Sequence, residues 1–371
     1  MNCIEVLRRR HRRPRQQGRS NVPIASVPIA SVPGVAVLGV AVLGVAVLGL
    51  AAPGIATGAA GARRPAPAAT RASSRSVTGR VDGPIGAAKR RAKSSPGRIV
   101  AVGAENQYAN VIAQIGGRYV AATAIESNPN TDPHDFEASP HVAQLVQSAR
   151  LVVQNGLGYD TYMNKIEQAS PSSKRFVVDV QTLLGLPNST RNPHLWYQPS
   201  TMPKVAAAIA RDLASIEPAH RQAFDANLRA FDASLEPWYR AIDRLRSQDR
   251  GAKAATTEPV GDYLLDAAGI TISTPWALQA DIMNGVDPAP QAVTVEDQLL
   301  SRHEVKVFVY NEQVTDSVTA SFLALARRSG VPVVGVYETM PTPGYDYQSW
   351  MLAETTALER ALAHKTSTAR L

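Results

Sequence analysis

From Arg98 onward, short continuous apolar runs alternate with helix-length segments, and this alternation confines the chain to an α/β architecture. The runs at 98–103, 119–123, 151–155, 176–180, 253–257, 306–310 and 331–336 are rich in Val, Ile, Leu and Ala. They carry almost no in/out alternation, as strands buried on both faces of a parallel sheet do. Helical spacing predicts helices over 105–115, 140–149, 260–268, 293–302, 315–329 and 347–363. The stretch from Pro199 to about Arg250 breaks the pattern, being rich in Ala, Leu, Arg and Asp with apolar residues at i, i+3 and i+4. Pro218 and Pro237 interrupt it, which predicts two consecutive helices, the second long and kinked at Pro237. The expected fold is α/β with two lobes, each a mainly parallel sheet flanked by helices, joined by a long linking helix. The lobes are expected over 98–198 and 251–371, with the linking helices over 199–250.

Two segments stand out against this frame. Thr131-Asp132-Pro133-His134-Asp135-Phe136-Glu137 and Asn192-Pro193-His194-Leu195-Trp196 each place a histidine directly after proline, in a loop that follows an apolar run. Proline fixes its own φ and biases the preceding residue toward an extended conformation, so each imidazole is presented from a stiff loop. Neutral imidazole is the commonest protein metal ligand, and two such presentations suggest one shared ion. Glu258 and Glu338 occupy equivalent places in the second half, each just beyond an apolar run. Ligands in open α/β sheets gather beyond the carboxyl ends of the strands. The four candidates lie 60, 64 and 80 residues apart, far too long for a local metal finger or an HExxH helix. Two neutral imidazoles and two carboxylates balance the charge of a divalent cation. Asp346 and Asp316 are further candidates for the fourth ligand, whereas His141 reads as a surface or capping residue.

Charge separates this body from what precedes it. Residues 1–97 hold 16 Lys and Arg against 2 acids, leaving 23 bases against 29 acids in the remainder. The mildly acidic body lacks a basic, aromatic-interleaved stripe, so no nucleic-acid partner is expected. Seven arginines between Arg8 and Arg19 precede a stretch from Ser20 to Ala62 without one charged residue. That stretch contains the tract GVAVLGVAVLGVAVLGL and closes on Ala60-Gly61-Ala62. Cationic start, apolar middle and small-residue end are the parts of an export signal, so 1–62 is expected to be a signal peptide or a membrane anchor. Residues 63–97, rich in Ala, Pro, Ser, Arg and Gly, read as a flexible linker. The single cysteine, Cys3, excludes an intrachain disulfide and a thiolate metal cluster.

TDPHDFEASP, NGLGYD, NPHLWYQP and GVPVVGVYETMP, the last followed by Trp350, resemble the zinc- and manganese-binding solute-binding proteins of ABC importers over residues 98–365. The resemblance implies two α/β lobes, a rigid linking helix, and an interlobe metal site that hands its ion to a membrane permease. By motif, His134 and His194 match the two imidazole ligands of the first lobe. Glu258 stands where many zinc binders have a third histidine and manganese-type members have glutamate. Glu338 stands near the last carboxylate of the family, usually aspartate. Asn192 replaces a common aspartate before Pro-His, and the His-rich loop of zinc-type members is absent between His134 and His194.

The expected function is therefore an extracytoplasmic binding protein, at the outer face of the membrane or in the periplasm. It would carry Zn²⁺ or Mn²⁺ as transported ligand, act as a monomer, and catalyse nothing. Carboxylates suit harder ions such as Mn²⁺ while affinity generally runs higher for Zn²⁺, so this donor set leaves the metal open. Two other readings use the same residues. An exported metallohydrolase would need an open coordination position and a general base beside the ion. A cell-adhesion protein would bind a surface partner strongly and metal weakly.

Overall fold

The computed structural model describes residues 97–130 and 132–371. The leader expected over 1–62, and all of the expected linker except Gly97, lie outside the described residues. Among the described residues no helix is long and apolar enough to cross a membrane.

The first half runs β1 (Ile99–Glu105), α1 (Asn106–Gly116), β2 (Val120–Glu126), α2 (Pro140–Ser148), β3 (Leu151–Gln154), α3 (Thr161–Ala169), β4 (Phe176–Asp179) and α4 (Val180–Leu184). Three helices follow: α5 (Thr201–Ile216), α6 (Arg221–Ser234) and α7 (Glu236–Gln248). The second half runs β5 (Lys253–Thr256), α8 (Asp262–Ala267), β6 (Thr271–Ile272), α9 (Trp276–Met283), α10 (Pro290–Ser301), β7 (Val307–Asn311), α11 (Ser317–Ser329), β8 (Val333–Val336) and α12 (Tyr347–His364). Each half contributes one wholly parallel four-stranded sheet, in the orders β2-β1-β3-β4 and β6-β5-β7-β8. The two orders are the same permutation. Strand order therefore reverses between β1 and β3 in one sheet and between β5 and β7 in the other, opening a crevice at their carboxyl ends.

Each strand expected from the sequence is present, with ends displaced by a few residues. The short additions carry weak signals. Helix α3 buries only Met163, and β6 is a two-residue edge strand. The five residues of α4 are held by their caps, with the Asp179 carboxylate accepting from the Thr182 N–H and Gly185 left-handed at the far end.

The 199–250 stretch is three helices rather than two. Pro237 has no N–H to donate to Ala233, and its ring would crowd that carbonyl. The chain therefore ends α6 before Leu235 and restarts with Pro237 in the first turn of α7, where a missing N–H costs nothing. The expected kink is a break.

Helix α1 buries Tyr108, Val111, Ile112 and Ile115, one stripe at i, i+3, i+4 and i+7, and packs on β1 and β2. Helix α5 lies against α1 and α6, while α7 packs on α12. These helices join the two sheets through one continuous apolar cluster running from Ile99 and Leu151 to Val334 and Val336. Of the four tryptophans, Trp196, Trp238 and Trp350 are fully buried and Trp276 is half-buried beneath Arg191. Trp238 on α7 donates its indole N–H to Thr355 Oγ1 on α12 (3.0 Å) and meets Tyr347 edge-on at 5.9 Å.

Trp238 therefore ties the connecting helices to the second half. Replacing it with alanine removes a fully buried aromatic side chain, at a cost of about 3–5 kcal/mol. Urea unfolding should register that loss as a lower midpoint at unchanged slope. A midpoint within error of wild type would place the tie elsewhere.

Candidate metal centre

Both Pro-His segments fold into the same local device. Asp132 Oδ1 accepts the His134 backbone N–H at 2.8 Å, and Asn192 Oδ1 accepts that of His194 at 2.9 Å. Each is an Asx turn closed over a proline, which fixes the direction in which the histidine leaves the loop. Asn192 does more. Its Nδ2 donates to the Pro259 carbonyl (2.7 Å), so its Oδ1 faces His194 Nδ1 at 2.8 Å as an acceptor. The proton of His194 is thereby placed on Nδ1, and the Nε2 lone pair is left for a cation.

The Asn155-Gly156-Leu157-Gly158 turn secures the second loop from below. Asn155 donates through Nδ2 to the Pro193 carbonyl (2.8 Å) and accepts from the Tyr108 hydroxyl (2.6 Å). The Asp160 carboxylate takes the Asn155 and Gly156 N–H groups, closing the turn. Gly156 sits at φ +80, and a side chain there would collide with Gln181. The turn is a brace for a ligand loop, not a phosphate cradle.

Glu338 follows β8 and is fully buried. Its Oε2 lies 3.2 Å from His194 Nε2 and 3.3 Å from His134 Nε2, the latter without the alignment of a hydrogen bond. The ligand atoms of these three residues lie within 4.8 Å of one another. The Tyr159 hydroxyl donates to the same oxygen at 2.9 Å. Glu258, 2% exposed, stands outside that trio and is joined to it by Asn311 at the end of β7. Asn311 Nδ2 donates to Glu258 Oε1 (3.1 Å) and to Glu338 Oε1 (2.7 Å), leaving Glu258 Oε2 buried with no hydrogen-bond partner.

The segment carrying Glu338 is gripped from both halves. Asn106 at the start of α1 donates to the Met340 carbonyl (2.8 Å) and accepts the Met340 N–H (2.9 Å). Gln107 donates to the Glu338 carbonyl (3.2 Å), and the Tyr197 hydroxyl donates to the Tyr337 carbonyl (2.8 Å). Gln313, from the second half, accepts the N–H groups of Glu338 and Thr339 at 2.7 and 2.8 Å. Backbone donors and acceptors of a strand-end loop are thus satisfied by side chains from both halves.

Electrostatics follow from burial of like charges. Burial opposes ionisation of Glu338, but the two imidazoles beside it win and hold it well below the usual carboxylate range. Burial also lowers an imidazole, and for His194 it prevails over the nearby carboxylate. For His134, burial is outweighed by Glu338, with Asp132 and Glu258 adding, and its pKa rises to about 9. Burial and then the Glu338 charge push Glu258 well above its ordinary value. Without an ion, a proton on His134 therefore does part of a cation's work. Two ring nitrogens, two buried carboxylates and a Glu258 oxygen without a hydrogen-bond partner fit a divalent transition metal. His134 is the most open of the trio, 23% exposed, and lines a cavity of about 460 Å³ with Tyr159 and Tyr162.

All four residues expected from the sequence thus gather beyond strand carboxyl ends, three directly and Glu258 through Asn311. The two reserve acids do not join them. Asp316 and Asp346 close capping boxes at the N-termini of α11 and α12, where their carboxylates accept backbone N–H groups. Tyr159, Asn311, Gln313 and Asn106 went unnoticed in the sequence. Tyr159 lay within the NGLGYD motif, but nothing local indicates that its hydroxyl reaches a residue 179 positions away.

Fold and site together define a binding protein for a metal ion. Residues 102–361 match the family described as "Zinc-uptake complex component A periplasmic", and the chain belongs to that family of periplasmic metal-binding components. An iron-binding protein, YfeA, of Yersinia pestis is 22% identical over 251 residues, covering 63% of this chain and 78% of that protein. A putative metal-binding protein of Treponema pallidum is 23% identical over 253 residues, covering 62% and 77%. Among solved structures, the Mn-bound periplasmic metal binding protein of Candidatus Liberibacter asiaticus superposes with a TM-score of 0.60 at 16% identity, covering 71% of this chain and all of that one. A crystal structure of ZnuA gives 0.58 at 20% identity over 72% of this chain and all of that one.

Two outcomes follow from this geometry. Asn192→Ala should lower metal affinity by about 10–100-fold, because the His194 proton is no longer held on Nδ1. Asn192→Asp should restore it, and a chelator competition showing no loss in the alanine variant would count against this role. Binding at neutral pH should also release at least one proton, since His134 must lose the one it holds up to about pH 9. Affinity should accordingly rise with pH up to about 9. Calorimetry in buffers of different ionisation enthalpy reads the proton count, and zero release would contradict the assignment.

Proposed function

We propose that this protein is an extracytoplasmic receptor that captures one divalent transition-metal ion and delivers it to an ABC permease. His134 and His194 would supply Nε2, and Glu338 and Glu258 one or both carboxylate oxygens. The observation that carries the reading is the His134–His194–Glu338 trio, whose ligand atoms come from the two halves of the fold and lie within 4.8 Å. Membership of a periplasmic metal-binding family supports it. The matching names include a Mn-bound protein, an iron-binding protein and a zinc-uptake family, and this donor set is compatible with Zn²⁺ or Mn²⁺ as cargo.

The remaining parts of the chain fit that role. Residues 1–62 would direct export, cleaved or retained as an anchor, and 63–97 would tether the body at 98–371. One chain supplies every proposed ligand, so the protein would work as a monomer. The acidic balance of the body favours no nucleic-acid partner.

Metal analysis tests the reading directly. The purified protein should hold about one Zn²⁺ or Mn²⁺ per chain, as expected of a single buried four-ligand set. Replacing both His134 and His194 with alanine should abolish binding while circular dichroism stays that of the folded protein. Stoichiometric binding retained in the double variant would defeat the proposal.

A further inference from the structure

We propose that Asn311 is a specificity-determining positioning residue, whose amide pins one oxygen of Glu258 and one of Glu338 so that each carboxylate offers the cation a single donor. The inference rests on the metal-binding reading above and concerns which ion the same site prefers.

Asn311 ends β7, next to β5 and β8, whose carboxyl ends lead to Glu258 and Glu338. It is 1% exposed, and its backbone N–H and both polar atoms of its side-chain amide are engaged. Its backbone N–H donates to Thr257 Oγ1 (3.0 Å), and its Oδ1 accepts the Gln313 N–H (3.1 Å). With Oδ1 so occupied, the amide can turn only its NH₂ toward the carboxylates. The two N–H bonds then go one to Glu258 Oε1 (3.1 Å) and one to Glu338 Oε1 (2.7 Å). The reversed amide would set a third oxygen against two acidic groups.

The consequence is a division of labour between oxygens. Both Oε1 atoms are spent on Asn311. Glu338 Oε2 faces the two imidazole nitrogens, and Glu258 Oε2 is buried with no hydrogen-bond partner. A bidentate grip by either carboxylate would strip its Oε1 from a charge-assisted hydrogen bond in a site with little water to replace it. Two ring nitrogens and two single oxygens make four donors. Zn²⁺ accepts four tetrahedral ligands without penalty, whereas Mn²⁺ favours a larger, oxygen-rich octahedral shell. Asn311 therefore favours Zn²⁺ over Mn²⁺ by withholding two oxygens, while touching no ion itself.

The test uses the full chain, titrated with Zn²⁺ and with Mn²⁺ against a competing chelator, for wild type, Asn311→Ala and Asn311→Ser. Losing an outer hydrogen-bond partner of a metal ligand shifts affinity by about 10–100-fold. In Asn311→Ala that loss should fall on Zn²⁺ and spare Mn²⁺, narrowing the affinity ratio by about the same factor. Asn311→Ser, with one O–H for two carboxylates, should fall between. Equal losses for both ions, or an unchanged ratio, would overturn the role of Asn311. X-ray absorption of the Zn²⁺-loaded wild type adds a check that needs no variant: four donors are expected, and a five- or six-donor shell with a bidentate carboxylate overturns the inference. A wild type that binds neither ion would instead defeat the underlying function.

Discussion

A carboxylate with no solvent exposure, carried by one half of the fold and facing two imidazoles from the other, is the constraint around which this molecule is arranged. Burying an ionised carboxylate costs several kcal/mol unless charge and hydrogen bonds compensate it. Glu338 is compensated by His134 and Tyr159 at Oε2 and by Asn311 at Oε1, while Gln313 and Gln107 hold its backbone. A second buried acid, Glu258, stands across Asn311 from it. Two acids so placed resist being ionised together, and a divalent cation relieves both at once.

The surrounding structure holds this arrangement still. The apolar core is continuous across both sheets, and Asn106 clasps the Met340 backbone with two reciprocal bonds. Tyr197, three residues after His194, both donates to and accepts from the backbone of Tyr337, next to Glu338. Ligands from opposite halves are thereby set to one another through packed side chains and not through a flexible joint. Such preorganisation suits capture of an ion, because little ordering remains to oppose binding.

The candidate ligands were legible because each carries a local signature: a proline that stiffens the approach to His134 and His194, and a strand end just before Glu258 and Glu338. The residues that orient them were not. Asn311, Tyr159, Asn106 and Gln313 are ordinary polar residues in sequence, and their importance lies in partners 25 to 234 positions away. Pro237 shows the same limit at the level of helices. Its chemistry marks a disruption, but whether the helix bends or restarts depends on what packs against α6 and α7.

By itself the sequence determined the local elements: parallel strands from apolar runs, helices from their stripes, stiff turns from Asx-Pro-His, and the donor types available for a cation. Those properties reside in a few consecutive residues, so adjacency in the chain suffices to express them. The tertiary structure alone decided which oxygen of Glu338 meets the imidazoles, that Glu258 is reached through Asn311, and that Asp316 and Asp346 are spent on helix caps. Each of these is a matter of direction and distance between side chains on separate strands, and only packing two sheets around one core fixes such quantities.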